Sequence, residues 1–312
     1  MSGKKLISIV IPAYNEEEVL EELTKRLQSM MDCNLRYDFE IIIVDNGSFD
    51  STYDKLLKIH DEDGRFKILQ LSRNFRCDGG ITAGLQYVRG VAAVIMMADL
   101  QDPPELIPKF LEKWEEGYDI VYTLVLKRTG TGISRRFFSL LFYKIIRLLT
   151  GGIIPENASD FRLIDRRVYE TVNQMNERNR MLRGIIAWVG FSQYAIGYQR
   201  PPRFGGESKA DFMQVLKLAL DGIFSFSYIP LKLTTYLGLI ISVLSFIMII
   251  IELELFFQYG REVPGFTTLV ILMLFLFGML FMVMGIIGEY IARIYDEVKQ
   301  RPNYVVKREI GF

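Results

Sequence analysis

The sequence predicts an α/β domain with a mostly parallel sheet covered by helices on both faces, followed by two C-terminal transmembrane helices. Three observations support this architecture. The first 125 residues alternate between strand signals and helix signals. Their strands are continuous apolar runs, which is typical of parallel strands buried on both faces. Near the C-terminus, two uncharged apolar stretches at 233–251 and 264–288 are long enough to span a bilayer.

Polar residues gather where the predicted strands end. The strands, each with the turn that follows it, are expected in KLISIVIPAYNEE, FEIIIVDNGSFDST, FKILQLSRNF, VAAVIMMADL and YDIVYTLVLK, and the helices in 16–31, TYDKLLKIHD, GGITAGLQYVRG and PPELIPKFLEKWEEG. Parallel sheets bind ligands beyond the carboxyl ends of their strands. Four of those ends carry Asn15-Glu16, Asp45-Asn46-Gly47-Ser48, Arg73-Asn74 and Asp99-Leu100-Gln101-Asp102. We therefore expect a ligand site along this edge.

The remainder of the chain is expected to lie on or in a membrane. The segment 127–152 mixes apolar and basic residues, so it is either a helix on the membrane surface or one packed in the core. The segment 213–228 is predicted to form an interfacial amphipathic helix that leads into the first span. These features divide the chain into a globular domain at 1–210, an amphipathic helix at 211–230, two transmembrane helices at 231–290 and a tail at 291–312.

The charge pattern indicates an orientation and narrows the range of partners. The link between the two apolar stretches holds three Glu and one Arg, whereas Lys and Arg flank the stretches on their outer sides. The positive-inside rule then places the globular domain and both termini in the cytoplasm. Lys plus Arg and Asp plus Glu both total 37, which argues against a nucleic-acid binder. Four small residues would allow close helix packing, and we expect a homo-oligomer: Gly238, Gly278, Gly285 and Gly288.

The stretch VIMMADLQDPPE joins a buried strand to a cluster of oxygen ligands. Asp99 and Gln101 supply carboxylate and amide oxygens, which are suitable ligands for a hard divalent cation. Such a cation can neutralise the charge on a diphosphate leaving group. At neighbouring strand ends, Asp45 could accept hydrogen bonds from a ribose or base and Asn74 could contact a base edge. Together these residues suit a nucleotide diphosphate.

A second group of residues is basic and flanks the segments that approach the membrane. It comprises Lys127, Arg128, Arg135, Arg136, Arg200, Arg203 and Lys209. One interpretation is a patch that attracts anionic lipid headgroups. The other is a site for a lipid-linked phosphate, because Arg binds phosphate through two parallel hydrogen bonds. A nucleotide site, a phosphate site and two spans together indicate transfer onto a lipid carrier.

Six motifs occur in one order along the chain: VIPAYNEE, VDNGSFDST, SRNF, MADLQDPPE, DFRLIDRRV and RFGGESK. In this order they resemble the polyisoprenyl-phosphate glycosyltransferases of glycosyltransferase family 2, which include dolichol-phosphate mannose synthase and the bacterial undecaprenyl-phosphate glucosyltransferases. The resemblance implies a GT-A fold, an inverting mechanism, Mg²⁺ or Mn²⁺, a nucleotide-diphosphate sugar as donor and a polyisoprenyl phosphate as acceptor. The two C-terminal spans are similar to those of the bacterial subgroup, which implies the bacterial inner membrane.

The resemblance also implies roles for individual residues. It assigns the nucleotide pocket to Pro12, Tyr14, Glu16, Asp45 and Asn74, the metal to Asp99 and Gln101, catalysis to Asp160 and Asp99, and the acceptor phosphate to Arg128, Arg135, Arg203, Ser208 and Lys209. A phosphate monoester has a second pKa of about 6, so the acceptor is already largely an oxyanion at neutral pH. We therefore expect Asp160 to orient arginines or the sugar, rather than to act as an indispensable base.

The chain departs from the family pattern at three positions. Met97 stands where an Asp-x-Asp motif would have its first acid, and a thioether is a poor ligand for Mg²⁺. Either Asp99, Gln101 and the diphosphate suffice to hold the cation, or the affinity for the cation is lowered. Arg76 follows SRNF where the family often has Gly, and Ala210 follows GESK where it often has an aromatic residue.

Three functions fit the sequence. The first is transfer of glucose from UDP-glucose to undecaprenyl phosphate, with GDP-mannose, UDP-galactose, UDP-N-acetyl sugars and UDP-aminoarabinose as alternative donors. The second is a nucleotide-sugar or lipid-phosphate binding protein that has lost catalysis, for which Met97 is the only support. The third is a processive polysaccharide synthase, which is disfavoured because the sequence has no QxxRW-type motif and only two predicted spans.

Overall fold

A computed structural model describes residues 3–126, 158–178, 180–201, 227, 229–259 and 265–312. The chain divides into two compact units, Met1–Gly222 with Arg301–Phe312, and Ile223–Gln300. In the described part of the first unit, the strands are Lys5–Ala13 (β1), Tyr37–Asp45 (β2), Phe66–Leu71 (β3), Ala92–Ile95 (β4), Ile120–Val125 (β5), Ala158–Asp165 (β6), Gln193–Tyr198 (β7) and Val306–Ile310 (β8). The helices are Leu20–Cys33 (α1), Thr52–Glu62 (α2), Arg76–Gln86 (α3), Ile107–Glu115 (α4), Arg166–Gln174 (α5) and Leu182–Trp188 (α6), with a 3₁₀ turn at Pro104–Leu106.

These strands form one mixed sheet in the order β7-β5-β6-β4-β1-β2-β3-β8. The central strands β4, β1, β2 and β3 are parallel, and β7 is parallel to β5. Strand β6 is antiparallel to both of its neighbours, and β8 is antiparallel to β3. The predicted α/β fold is confirmed, and the predicted parallel arrangement applies to its centre.

Both faces of the sheet are buried, as the continuous apolar strands predict. On one face, Ile9 and Ile11 of β1 belong to a core cluster that includes Leu23 of α1. On the other face, helix α3 packs closely because Gly84 has no side chain. A Cβ at Gly84 would press against Cγ1 of Val10 and lie 3.1 Å from Cγ2 of Val44. This close packing fixes the position of α3, whose first turn reaches the edge where the parallel strands end.

Strand β4 ends earlier than the sequence predicts. The run VAAVIMMADL is apolar as far as Ala98, but the strand stops at Ile95. The reason is local, because the Met97 N–H donates to Oδ2 of Asp102 at 3.1 Å instead of continuing a sheet ladder. Residues 96–102 therefore form a turn beyond the sheet, and Asp99 lies within that turn.

The second unit contains two long apolar helices, Ile229–Tyr259 (α7) and Phe266–Lys299 (α8). By length and composition both helices are candidates for crossing a membrane. Large apolar side chains remain uncovered by protein, for example Phe246 at 65% exposure and Phe281 at 67%. Helix α7 extends beyond the predicted stretch 233–251 at both ends, whereas α8 begins two residues inside the stretch 264–288 and extends beyond its C-terminal end. Most of the predicted amphipathic helix at 211–230 lies outside the described residues.

After α8 the chain contributes one more strand to the sheet of the first unit. The Ser72 N–H donates to the Val305 carbonyl at 2.9 Å, where β8 begins to pair with β3. Nearby, the Tyr87 hydroxyl donates to Glu309 at 2.6 Å, and its ring lies 4.9 Å from that of Phe312. The predicted tail at 291–312 thus contains the end of a helix and a strand of the sheet, and the fourfold division of the chain stays a prediction.

Candidate active site

The candidate site lies at the edge where β4, β1, β2 and β3 end together. The segments that follow these strands contain Asn15, Arg76 and Leu100, whose φ angles are 53°, 64° and 56°. Positive φ is unfavourable for a residue with a Cβ, and such residues are concentrated at functional sites. The backbone at this edge is therefore held in conformations that the surrounding contacts impose.

Hydrogen bonds join the segments after β1 and β2 into one surface. The Asn15 N–H donates to Ser48 Oγ at 3.0 Å, and the Phe49 N–H donates to Asn15 Oδ1 at 3.0 Å. The rings of Tyr14 and Phe49 meet edge to face, with centroids 5.6 Å apart. Tyr14, together with the predicted nucleotide residues Pro12 and Glu16 on either side of it, thus belongs to a fixed surface next to β2.

Asp45 and Asn46 hold the same surface in place through hydrogen bonds. Asp45 is completely buried, and its two oxygens accept hydrogen bonds from the Ser48 N–H at 3.0 Å and from Gln70 Nε2 at 3.3 Å. Asn46 accepts from the Phe75 N–H and therefore holds the segment between β3 and α3. Direct contact of Asp45 with a nucleotide stays a prediction, because in this structure the carboxylate contacts protein.

The predicted base contact Asn74 lies in the exposed segment after β3. Its Oδ1 accepts the Arg76 N–H at 2.7 Å, at the start of α3. Gly47 lets the segment after β2 approach the segment after β3 closely, because a Cβ at Gly47 would lie 2.8 Å from the backbone of Arg73. The segments after β2 and β3 are thus packed backbone to backbone beside the nucleotide residues.

The predicted metal ligands lie in the turn after β4. Asp99 is 8% exposed, and its Oδ1 accepts the Gln101 N–H at 3.2 Å. The Gln101 amide nitrogen donates to the Pro201 carbonyl at 3.2 Å, which leaves its side-chain oxygen for a cation. Within the described ranges, no group of three or more His, Cys, Asp or Glu residues is arranged to hold a metal. One carboxylate and one amide fit a cation that takes its other ligands from a diphosphate and water.

Met97 contacts a helix beside this turn. Its sulfur lies 3.6 Å from the sulfur of Cys77, in the first turn of α3. Cys77 is exposed, and neither its thiol nor the thioether of Met97 is a hard oxygen ligand. The two sulfur atoms therefore form a neutral contact where the family pattern has an acid.

Asp102 joins the turn after β4 to strands β6 and β7. The side chain is completely buried, and it accepts hydrogen bonds from the Met97 N–H at 3.1 Å and the Tyr198 hydroxyl at 3.2 Å. Ser159 Oγ approaches the same carboxylate at 3.5 Å, immediately before Asp160 in β6. Burial raises the pKa of Asp102 to about 6 against the hydrogen bond from Met97, which lowers it. We identify Asp102 as a positioning residue that the sequence motif contained but did not single out.

Asp160 reaches this turn because β6 runs antiparallel to β4. Ile95 at the end of β4 pairs with Arg162, so the first residues of β6 extend past β4 beside the turn. Arg183, in the first turn of α6, donates two hydrogen bonds to the Asp160 carboxylate. Its Nε donates to Oδ1 at 3.0 Å, and its terminal nitrogen donates to Oδ2 at 2.7 Å. Burial raises the pKa of Asp160, but attraction to Arg183, Arg162 and Arg200 outweighs burial and lowers it below the ordinary value.

A further acid, Asp78, lies at the start of α3 and accepts the Leu182 N–H at 3.3 Å. Burial, followed by repulsion from Asp160, raises the pKa of Asp78 to about 6. Burial also lowers the pKa of Arg162 to about 10, although Asp160 opposes this. The same part of the site therefore contains one acid whose pKa is lowered and another whose pKa is raised to about 6.

The structure brings together only part of the predicted site. Asp99 and Gln101 share the turn after β4, and β6 places Asp160 beside that turn. The predicted acceptor residues Arg128, Arg135, Arg203, Ser208 and Lys209 lie outside the described residues. Asp102 and Arg162 lie inside the motifs MADLQDPPE and DFRLIDRRV, so the sequence held a signal for both. Arg183 lies outside all six motifs.

The chain belongs to glycosyl transferase family 2, because the model of that family matches residues 8–172. This match covers the described strands from within β1 through β6, including the turn with Asp99 and the strand with Asp160. The predicted fold and the predicted enzyme class are thereby confirmed.

The chain is similar to bacterial and prophage proteins over almost its whole length. It is 44% identical over 300 residues to an uncharacterised glycosyltransferase of Synechocystis, covering 96% of this chain and 94% of that protein. It is 37% identical over 306 residues to the SfII prophage-derived bactoprenol glucosyl transferase of Shigella flexneri, covering 97% of each. The predicted resemblance to polyprenyl-phosphate glucosyltransferases is confirmed.

Among solved structures, the similarity is lower. Glucosyl-3-phosphoglycerate synthase of Mycobacterium tuberculosis, in complex with Mn²⁺, UDP-glucose and phosphoglyceric acid, is 17% identical with a TM-score of 0.46, covering 70% of this chain and 78% of that one. TarS of S. aureus in complex with UDP-GlcNAc is 17% identical with a TM-score of 0.41, covering 70% and 66%.

The raised pKa of Asp78 predicts a pH-dependent effect of Asp78→Asn. The folded protein holds this proton up to a pH of about 6, against an ordinary value of 3.8, so ionisation costs folding free energy. The stability contributed by this group is present at low pH and is lost as the pH rises through about 6. Between about pH 5 and pH 7, the thermal midpoint of Asp78→Asn should therefore rise relative to wild type by several degrees in thermal unfolding scans.

Asp63→Asn provides a control, because the pKa of Asp63 is shifted in the opposite direction to that of Asp78. The hydrogen bond from Arg65 holds the pKa of Asp63 below its ordinary value, so this acid is ionised throughout that range. The offset between the midpoints of Asp63→Asn and wild type should stay constant over the same pH range. If the offset of Asp78→Asn is equally constant, the environment assigned to Asp78 is wrong.

Proposed function

We propose that this protein transfers a sugar onto a polyprenyl phosphate, with glucose from UDP-glucose as the first candidate. The observation that carries this proposal is that the Asp99–Gln101 turn and the Asp160–Arg183 pair occupy one edge of the sheet. The turn suits a cation beside a nucleotide diphosphate, and the arginine suits a phosphate acceptor. Near full-length similarity to bactoprenol glucosyl transferases supports the choice of acceptor and sugar.

We infer that Asp99 and Gln101 hold Mg²⁺ or Mn²⁺ during the reaction. When bound, the cation would offset the charge that develops on the departing nucleoside diphosphate. Met97 contributes no hard ligand, so the diphosphate oxygens and water would complete the coordination. Gln101 is well prepared for this role because its amide nitrogen is already engaged by the Pro201 carbonyl.

The proposed transfer is a single displacement at the anomeric carbon. An oxygen of the acceptor phosphate forms a bond to that carbon while the bond to the β-phosphate oxygen breaks, and the electron pair stays on the nucleoside diphosphate. One such displacement inverts the anomeric configuration. Positioning and charge stabilisation supply most of the rate, because the phosphate nucleophile is already anionic at neutral pH.

Asp160 has the properties of an orienting residue in this scheme. Its pKa is lowered by Arg183, Arg162 and Arg200 even though burial opposes this, so it is ionised and a weak base. Its carboxylate fixes the direction of the Arg183 guanidinium through two hydrogen bonds. This geometry supports the expectation that Asp160 orients an arginine.

We further propose that α7 and α8 cross the inner membrane and that the sheet lies in the cytoplasm. Strand β8 follows both helices in the sequence and still belongs to the same sheet as β1. The chain must therefore cross an even number of times between β7 and β8. The excess of Lys and Arg on the outer flanks of the two helices supports a cytoplasmic sheet.

Two alternatives to glucose transfer from UDP-glucose remain. The donor could carry mannose, galactose, an N-acetyl sugar or aminoarabinose, because sugar selection depends on a few hydrogen bonds that involve individual hydroxyl groups. The protein could also bind its ligands without transferring the sugar, which Met97 alone favours. A comparison of transfer with binding separates these alternatives.

Purified protein should transfer labelled glucose from UDP-glucose to undecaprenyl phosphate when Mg²⁺ or Mn²⁺ is present. A panel with GDP-mannose, UDP-galactose, UDP-N-acetylglucosamine and UDP-aminoarabinose would identify the preferred donor by product formation in the lipid extract. Asp99→Asn should reduce transfer by about a hundredfold or more, because it weakens the hold on the cation.

Asp61→Asn, at an exposed position of α2, is the control for this series and should retain full activity. Binding of nucleotide sugar by the wild type without transfer from any donor would favour the binding protein. Transfer that continues undiminished in Asp99→Asn would refute the assignment of the metal turn.

Met97→Asp should tighten metal binding and leave the product unchanged. An acid at this position adds a hard oxygen ligand next to Asp99, so the metal concentration that gives half-maximal transfer should fall by about tenfold. Met97→Leu removes the sulfur and adds no ligand, so its metal dependence should match that of the wild type. A metal dependence of Met97→Asp that equals that of Met97→Leu would count against a cation beside this turn.

The proposed topology predicts a labelling pattern for single cysteines placed in a Cys33→Ser, Cys77→Ser background. Lys4→Cys and Arg301→Cys should react with an impermeant maleimide only in inverted membrane vesicles. Glu262→Cys, between the two helices, should react only in intact cells whose outer membrane has been permeabilised. Labelling of Lys4→Cys and Arg301→Cys from opposite sides would exclude an even number of crossings.

A further inference from the structure

We propose that Arg183 binds the acceptor phosphate, and that the Asp160 carboxylate occupies the Arg183 guanidinium until the acceptor arrives. The inference rests on the proposed function and adds a residue that the motifs did not indicate. In this scheme Asp160 is an internal substitute for the phosphate. The two anions would exchange on one guanidinium, so Arg183 would be a ligand-binding residue and Asp160 its positioning partner.

The geometry of the pair fits a guanidinium prepared for phosphate. Two nitrogens of Arg183 donate in parallel to the two oxygens of Asp160, at 3.0 Å and 2.7 Å. The same planar fork binds two oxygens of a phosphate equally well. Arg183 belongs to the first turn of α6, and the preceding Leu182 N–H is fixed by Asp78 at 3.3 Å. The guanidinium is therefore presented from an anchored helix.

Exposure distinguishes Arg183 from the neighbouring arginine. The side chains of Arg183 and Asp160 are 32% and 33% exposed, so a ligand in the cleft can reach both. Arg162 is 5% exposed in its side chain and donates to the Ser159 carbonyl of its own strand at 2.8 Å. Arg162 thus contributes a fixed positive charge, whereas Arg183 has a partner that an incoming anion can replace.

Charge favours the exchange when the acceptor is present. A phosphate monoester carries a charge of about −1.5 to −2 near neutral pH, against −1 for the carboxylate. The pair is a third exposed, so solvent weakens it and an anion of higher charge can compete for the guanidinium. The phosphate would consequently displace Asp160 from Arg183 without any rearrangement of the strand or the helix.

The exchange would change the properties of Asp160. The charged and titratable groups that face it are Arg162, Arg183, Arg200, Asp78, Cys77 and Asp102. Burial raises the pKa of Asp160, and Arg183 contributes most to lowering it. Once the phosphate has taken Arg183, the carboxylate would accept a proton more readily.

The test measures KM for undecaprenyl phosphate and KM for the nucleotide sugar separately in three variants. Arg183→Gln removes the charge and the fork, Arg183→Lys keeps the charge alone, and Asp160→Asn removes the competing anion. Arg65→Gln is the matched control, because Arg65 grips Asp63 with a similar fork, at 3.0 Å and 2.7 Å, at the start of β3 away from the site. Thermal unfolding of each variant reports on folding.

We expect the KM for undecaprenyl phosphate to change and the KM for the nucleotide sugar to stay nearly constant. Arg183→Gln should raise KM for undecaprenyl phosphate by about tenfold or more and leave KM for the donor within about twofold, with Arg183→Lys intermediate. Asp160→Asn should lower kcat and leave KM for the acceptor unchanged or smaller, because the competing anion is gone. Arg65→Gln should change neither KM.

Two results would overturn the inference. One is an increase in the acceptor KM of Asp160→Asn as large as that of Arg183→Gln, since the pair would then be needed only as an intact structural unit. The other is an effect of Arg183→Gln on the donor KM alone. If Arg183→Gln does not fold, an unchanged acceptor KM in Arg183→Lys has the same consequence.

Failure of the proposed function would give a different result. If the wild type transfers no sugar from any donor, the function is wrong, and titration with farnesyl phosphate then tests Arg183 by itself. Weaker binding of farnesyl phosphate to Arg183→Gln than to wild type and to Arg65→Gln would support a phosphate site. Equal binding to all three would exclude it.

Discussion

The buried carboxylate of Asp102 is the contact on which the rest of the site depends. It accepts hydrogen bonds from the backbone of Met97 and the hydroxyl of Tyr198, and Ser159 approaches the same group. These three donors come from the turn after β4, from β7 and from β6. A buried donor without an acceptor is costly, so three separate segments are held around one carboxylate. The relative positions of the turn after β4 and Asp160 follow from this convergence.

The site also contains two acids, Asp160 and Asp78, whose pKa values are shifted in opposite directions. Asp160 remains ionised because positive charge from three arginines exceeds the effect of burial. Asp78 also has Arg183 and Arg162 nearby, but it accepts a backbone hydrogen bond in place of a guanidinium fork, and burial raises its pKa to about 6. The difference between them lies in which one Arg183 grips. Small changes in the direction of a single guanidinium therefore redistribute charge across the cleft.

The sequence predicted the elements better than it predicted their contacts. Apolar runs located β1, β2 and β3 because both faces of a parallel sheet are buried, but the run through Met96 and Met97 could not reveal that β4 stops at Ile95. That end depends on a side chain five residues further on. The sequence also could not show that Asp45, the predicted nucleotide contact, accepts hydrogen bonds from Ser48 and Gln70. Arg183 had no local signal at all, since its importance arises only when α6 is packed beside β6.

The position of β8 in the chain has a consequence for biosynthesis. The outer edge of β3 stays unpaired until Val306–Ile310 have left the ribosome, and by then both apolar helices have already been synthesised. An open strand edge is prone to pair with other chains. Completion of the sheet is therefore delayed until both apolar helices have been synthesised, so a chain still lacking Val306–Ile310 would keep an open edge at β3. Closure of this sheet edge is in this way tied to synthesis of the two apolar helices that precede β8 in the chain.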